Sequence, residues 1–478
     1  MTKQKGITAS KDNDFSEWYT QVIQKADLIE YTDVSGCYIL KPRAYVIWEK
    51  LQEFFNKELK KRNIKNAYFP LLIPEHLLMK EKEHVKGFSP EVAWVTHSGD
   101  TKLAERLAVR PTSETIIYDA YAKWIRSHND LPLKLNQWCN VVRWEFKNPV
   151  PFLRSREFLW QEGHTVFATK KEAEIEVYDI LSVYKRIFEE LYAVPVIEGT
   201  KSEKEKFAGA DFTTSVETFL PSGKAIQGAT SHHLGQNFSK AFDITFLDKD
   251  SNKQYAWQNS WGITTRSIGI MIMMHSDDKG LVLPPRVAPT QIVIVPIVFE
   301  DSKKNVLNKV KEIAKQLKSL NVEIDDRDNY SPGWKFNEWE MKGIPIRIEI
   351  GPKDVSKNQA VLVRRDTGEK KIVKISEIKT IAPKMLDDIQ KNLFNKAKKF
   401  MDSNIVEVEN FKDFVKAIKD KKMVKAQWCN NPVCEEKIKD KMGGAKSLNI
   451  PFVQLKISGK CVCCDEKAKV VALFAKSY

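Results

Sequence analysis

No stretch of the 478-residue sequence comes near the ~18 uninterrupted apolar residues of a membrane-spanning helix. The opening residues are polar and hold no apolar core of a secretory leader, so the expectation is a cytoplasmic protein with no membrane partner. Cysteine is scarce as well: seven residues, five of them from Cys429 onward. That crowding argues against a disulfide framework and suits a metal site in a reducing compartment. Acidic side chains are in deficit, 63 against 77 lysines and arginines, leaving a formal charge of +14. Because the lysines are spread over many helical faces and not gathered in a tail, charge alone does not separate a nucleic-acid binder from a lysine-rich solvated surface. No internal repeat is visible, and the length exceeds what one compact core organises, so two or three domains are expected.

What is present falls into three segments. Helical spacing of Trp18, Val22, Ala26 and Ile29, then the amphipathic "YVIWEKLQEFFNKELKKRN", leads into short strands from Leu107 to about Phe246, interrupted by helices on "SETIIYDAYAKWI" and "KKEAEIEVYDILSVYKRIFEELY". This pattern reads as an α+β domain on an antiparallel sheet, residues 14–285, closed by the helix- and sheet-breaking "GLVLPPRVAPT". A βαβ rhythm follows over 288–395, with Ile344, Ile346, Ile348 and Ile350 on one face. The third segment, 400–478, carries the cysteines.

The charged strands of the first segment need a reason. Alternation puts Arg143 and Glu145 on one side of "WCNVVRWEF", and Trp160, Glu162 and His164 on one face of "FLWQEGHTVF". A ring, a carboxylate and an imidazole together suit a cationic, ring-shaped ligand. The loop between the strands carries Arg154 and Arg156, whose rigid forks suit a phosphate. A further arginine, Arg266, falls in the first turn of the helix in "TTRSIGIMIMMH", where a cation opposes the helix dipole unless it and the free N–H groups meet an anion together. In "RPTSET", Thr112 and Ser113 are N-cap types with Glu114 in the first turn. "QGATSHHLGQNF" gathers Gln227, Thr230, His232 and His233, and no third ligand at metal spacing makes the paired histidines a zinc site.

In the last segment, Cys429 and Cys434 at C-x4-C spacing precede "CVCC". Two close pairs of thiolates are a structural tetrahedral zinc signature, with Cys461 and either Cys463 or Cys464 completing the set.

The strings "YFPLLIPE", "RWEF…FLRSREFLWQEGHT" and "SWGITTRSIGIMIMMHSDDKGLVLPPRVAP" resemble the three signature motifs of class II aminoacyl-tRNA synthetases; with "RPTSET" and "QGATSHHLGQNF" they resemble the prolyl-tRNA synthetase family of archaeal and eukaryotic type. The resemblance runs from about Asp14 to Tyr478 and implies a class II catalytic domain, an α/β anticodon-binding domain and a small α/β zinc domain. It implies the substrates L-proline, ATP with Mg²⁺ and tRNA(Pro), no DNA, and a homodimer built on motif 1. It also implies roles: Thr112, Glu114, Arg143, Trp160, Glu162, His164 and His232 toward proline; Arg143, Glu145, Arg154, Gln227, Thr230, Thr264 and Arg266 toward ATP, with Arg143 and Arg266 catalytic. Glu340, Arg347 and Lys353 are the expected anticodon readers, with Arg347 and Glu349 as mere outer-face decoration the competing expectation. The span between motifs 2 and 3 is too short for a large editing domain, so no cis editing is expected. The terminal "LFAKSY" implies that Tyr478 tucks back toward the catalytic domain. Threonyl-tRNA synthetase is the nearest rival, but lacks support without a Cys/His/His active-site zinc set; a catalytically silent paralogue is opposed by the retained arginines.

Overall fold

The structure is a computed structural model that describes residues 6–84, 91–454, 456–464 and 466–478. Its centre is an eight-stranded sheet whose strands run, in spatial order, Ile450–Pro451, Ile197–Thr200, Phe212–Phe219, Ala225–Gly235, Trp257–Thr264, Glu157–Phe167, Leu133–Val142 and Lys65–Asn66. All pairings are antiparallel except the last, as alternating polar and apolar strands with one covered face require. The helix Lys170–Arg186 starts on a capping box of Thr169 and Glu172 and buries Ile180, Leu181, Val183 and Tyr184 in the core behind the sheet. That core also takes in Trp18, Val22, Ile47, Leu51 and Phe55 from the two N-terminal helices, Phe15–Lys25 and Pro42–Lys61.

Two smaller layers follow. In the second segment the strands Val322–Ile324, Ile292–Pro296 and Ile346–Ile350 are parallel, with the helix Lys303–Gln316 crossing between the first two in sequence. Ile346, Ile348 and Ile350 are all buried in its core, as their alternation requires. The helix Ile378–Ser403 runs unbroken through the expected second boundary near 395–400 and ends only at Asn404. The last segment holds a four-stranded sheet, Ile405–Val408, Met423–Trp428, Val470–Lys476 and Ala445–Ser447, and also supplies the edge strand Ile450–Pro451, which pairs with Thr200 and Gly199 of the large sheet. Among the described residues no helix is long and apolar enough to cross a membrane.

Candidate active site

The open face of the large sheet is organised in rows, because hydrogen-bonded neighbours on adjacent strands point the same way. One row joins Cys139, Trp160 and Thr264; the next joins Gln137, Glu162, Gly262 and Thr230; a third joins His164, Ser260, His232 and Thr213. Behind them Gly163 faces the other way, and a Cβ there would lie 2.1 Å from the Trp261 ring, so only glycine lets this stretch of strand pack on its core. Over the rows lies a cavity of about 270 Å³. Twelve of the residues singled out in sequence line it: Thr112, Glu114, Arg143, Arg154, Trp160, Glu162, His164, Gln227, Thr230, His232, Thr264 and Arg266.

One end of the cavity is a carboxylate–imidazole cluster. Glu114, Glu162 and His164 are each 4% exposed or less, which makes their partners decisive. Glu162 accepts from Gln137 Nε2 at 2.9 Å and from the Ser113 hydroxyl, and its other oxygen lies 3.1 Å from His164 Nε2. His164 Nδ1 meets Tyr118 Oη at 3.1 Å, so both ring nitrogens are engaged in hydrogen bonds. Burial alone would depress the His164 pKa, but the Glu162 hydrogen bond and the charges of Glu114 and Glu162 outweigh it and raise it. Burial alone would raise Glu162, and the His164, Ser113 and Gln137 contacts bring it below the usual value instead. Two buried carboxylates thus stand beside one imidazole, a set of acceptors that suits an ammonium group in a slot walled by Trp160. Burial first, then the charge of His164, pulls His232 down to about 3 and keeps it neutral; its Nδ1 meets Thr213 Oγ1 at 2.9 Å and its ring packs 4.7 Å from Phe207.

The other end is cationic. The helix Arg266–His275 follows Thr265 as its N-cap, placing Arg266 in its first turn as the sequence suggested, with Arg266 N bonded to Thr264 Oγ1. Its Nε donates to Leu153 O at 3.1 Å. Arg143 donates from Nε to Pro111 O at 2.9 Å and lies over both the Phe158 and Trp160 rings at 5.5 Å. Burial, then the charges of Arg143 and Arg154, lower Arg266 to about 10. Among the described residues none of these three guanidiniums has a salt-bridge partner, so the cluster is suited to a polyanion.

The structure corrects several expectations. The strand ends at Val142, because Val142 N bonds to Arg110 O and Arg143 N to Arg156 O, so Arg143 and Glu145 do not share a strand face. Glu145 sits in an exposed turn outside the cavity lining. Arg156 turns away from the cavity as well, donating to Ser35 O and lying over Trp144. Ser113 is the N-cap of the helix Glu114–Trp124, yet its hydroxyl goes to Glu162 and not to a backbone N–H. His232 and His233 point to opposite faces: His233 bonds Asn259 and stacks on Trp257. Sequence reasoning missed Phe158, Phe207 and Thr213 in the lining. Phe158 was findable, since it continues the alternation of Trp160, Glu162 and His164; the other two carry no local signal.

Two further places bear on function. Glu340 and Arg347 line a second cavity of about 220 Å³ with Arg364 and Arg365, and Arg347 also pairs with Glu349 at 2.7 Å. Lys353 is exposed on the short helix Pro352–Ser356, outside that lining. In the last segment the sulfurs of Cys429, Cys434, Cys461 and Cys464 all lie within 4.8 Å of one another, which selects Cys464 over Cys463. Cys434 and Cys461 are 3.6 Å apart, and Cys464 and Cys429 are 3.7 Å apart. Four sulfurs ~2.3 Å from a common tetrahedral centre would be ~3.8 Å apart, so the donor set fits a closed zinc site. Tyr478 N bonds to Ala225 O beside the large sheet, and its ring packs against the catalytic core.

Comparison with known proteins agrees with this architecture. Residues 94–275 match "tRNA synthetase class II core domain (G, H, P, S and T)", residues 291–385 "Anticodon binding domain" and residues 411–478 "Prolyl-tRNA synthetase, C-terminal". The chain is 53% identical to proline--tRNA ligase 2 of Clostridioides difficile, covering 99% of this chain and 98% of that one. It is 50% identical to the cytoplasmic proline--tRNA ligase of Arabidopsis thaliana, covering 99% and 91%. It is 52% identical to the bifunctional glutamate/proline--tRNA ligase of Cricetulus griseus over 99% of its own length, but spans only 33% of that relative. The crystal structure of prolyl-tRNA synthetase from Cryptosporidium parvum, complexed with halofuginone and AMPPNP, superposes with a TM-score of 0.95 at 52% identity, covering all of this chain and 98% of that one. The chain belongs to the prolyl-tRNA synthetases, within the class II aminoacyl-tRNA synthetases.

Proposed function

We propose that this chain activates L-proline with ATP, releasing diphosphate, and then transfers the prolyl group to the 3′ end of tRNA(Pro). The observation that carries the reading is the polarity of one cavity, with unpaired guanidiniums at one end and a buried carboxylate–imidazole cluster at the other. Glu114, Glu162 and Thr112 receive the secondary ammonium of proline, Trp160 flanks its ring, and Arg143 holds its carboxylate against the α-phosphate. Gln227, Thr230 and Thr264 offer hydrogen bonds to the nucleotide, and Arg154 and Arg266 hold its phosphates, with Mg²⁺ entering as the counter-ion of ATP. A carboxylate is already ionised at neutral pH, so its attack on the α-phosphorus needs no general base. As it attacks, the α–β bond breaks and diphosphate leaves; the terminal ribose hydroxyl of tRNA then displaces AMP. Rate comes from alignment and from charge placed where the transition state needs it. ATP–pyrophosphate exchange with each of the twenty amino acids tests this directly: exchange is expected with proline, and exchange with threonine alone, or with none, overturns it.

The motif 1 resemblance supports a homodimer, and the Arabidopsis relative's name supports a cytoplasmic location. Residues 166–259 are taken up by strands of the central sheet, the helix Lys170–Arg186 with its continuation to Leu191, the short helix Asn237–Phe242, the hairpin of Thr245–Leu247 with Lys253–Tyr255, and their connecting turns, so no cis editing is expected. Hydrolysis of misacylated alanyl-tRNA by the isolated enzyme would contradict that. In the second segment Glu340 and Arg347 would read anticodon bases, unstacked and held by their edges. Arg347→Ala is expected to raise KM for tRNA(Pro) and to blunt discrimination against anticodon-altered tRNA, while leaving exchange unchanged; full discrimination in aminoacylation removes Arg347 from the reading. The four thiolates Cys429, Cys434, Cys461 and Cys464 would hold a structural zinc that ties the helix Pro432–Lys441 to the turn at Cys461.

A further inference from the structure

The zinc-type domain touches the catalytic sheet through a polar cluster that the reaction described above does not use. Next to Cys434, on the helix Pro432–Lys441, Glu435 is 2% exposed and lies across the interface from the catalytic domain. One of its oxygens accepts from Ser202 Oγ at 3.0 Å and from the hydroxyl of Ser447, while the two serine hydroxyls are themselves 3.3 Å apart. Beside it Lys446 pairs with Glu205 at 2.6 Å, and the buried Lys201 donates to Leu448 O at 2.6 Å. A domain contact that needed only adhesion would be served as well by apolar groups, since a buried carboxylate carries a desolvation cost.

Ser202 opens the turn that walls one side of the cavity. Its carbonyl accepts from Lys206 N at 2.9 Å and its hydroxyl accepts from Glu205 N at 3.2 Å. At the far end of the turn Phe207 N donates to Thr213 Oγ1 at 2.9 Å, the hydroxyl that also meets His232. Glu205, Phe207, Thr213 and His232 all line the cavity. The segment 201–207 has no helical or sheet ladder of its own, so its path is set by these few anchors.

We infer that Glu435 is a positioning residue for proline recognition: through Ser202 it fixes the 202–207 turn, and so the Phe207–His232 wall, from the cysteine-bearing domain. The inference rests on reading the cavity as the proline site. Since Glu435 directly follows a sulfur donor, loss of the metal would loosen the same wall.

The test is pyrophosphate exchange with separate titrations of proline and ATP, on Glu435→Ala, Ser202→Ala, the double variant and Glu435→Gln, with zinc content and thermal unfolding measured on each. Losing an anchoring hydrogen bond to a charged group predicts a KM for proline ~10-fold higher in either alanine variant, with KM for ATP within about twofold. The double variant is expected to be no worse than the worse single one, because both break one link. Glu435→Gln, whose amide oxygen accepts the same hydroxyls, is expected to restore most of the affinity. Should Glu435→Ala lose its zinc or its fold, Ser202→Ala decides. An unchanged KM for proline in folded, zinc-loaded Ser202→Ala, equal rises for both substrates, or additive losses would overturn the inference. A wild-type enzyme that exchanges no pyrophosphate with proline would instead overturn the functional reading.

Discussion

Arg266→Ala is expected to lower proline-dependent ATP–pyrophosphate exchange by ~10²–10³-fold, and Arg143→Ala to do the same, with little change in thermal stability. The size follows from where the two guanidiniums sit. Both are half-buried, both are fixed by a backbone carbonyl acceptor, and among the described residues neither forms a salt bridge. They are therefore preorganised donors, poised for charge that grows as the pentavalent phosphorus forms, and removing one leaves that charge to be met by water. Arg266→Lys keeps the charge but loses the fork, so it should recover only part of the rate. The pKa of Arg266, lowered to about 10 by burial and by the neighbouring arginines, leaves it charged at neutral pH. Exchange within about threefold of wild type in either alanine variant would remove these residues from the chemical step.

The second large effect is on the last segment. Protein purified without chelator is expected to carry one zinc per chain, and Cys461→Ser to carry none and to lose cooperative unfolding of the C-terminal sheet. Structural zinc contributes ~10–16 kcal/mol of apparent folding free energy in finger peptides, far more than a core this small supplies. The sulfur geometry already fits, with Cys434 and Cys461 3.6 Å apart and Cys464 and Cys429 3.7 Å apart. Cys463→Ser, by contrast, is expected to keep the metal, because its sulfur lies outside the set of four. Metal analysis decides between them, and zinc retained in Cys461→Ser with zinc lost in Cys463→Ser would reverse the assignment.

Much of the site was legible because its residues repeat at short, regular spacing. Trp160, Glu162 and His164 alternate on one strand, and Arg266 stands one residue inside a helix start; both relations are local and survive any packing. The failures have a common cause. Arg143 and Glu145 were placed on one strand face by alternation, but the strand stops where Arg110 and Arg156 capture the backbone, and no local pattern announces a partner that far away in sequence. Thr213 and Phe207 entered the cavity for the same reason, carried there by pairing with His232 on the adjacent strand.

By itself, then, the chain's amino-acid order determined the three-part organisation, the arginine- and carboxylate-bearing strands, the helix that starts at Arg266 and the thiol-rich tail. Tertiary structure alone decided that Cys464 and not Cys463 completes the sulfur cluster, that Ser113 serves Glu162 in place of its own helix, and that Glu435 reaches Ser202. Periodicity fixes which face a side chain takes along its own strand or helix. Which distant group it meets there depends on how separate elements pack, and that is settled only when the whole core closes.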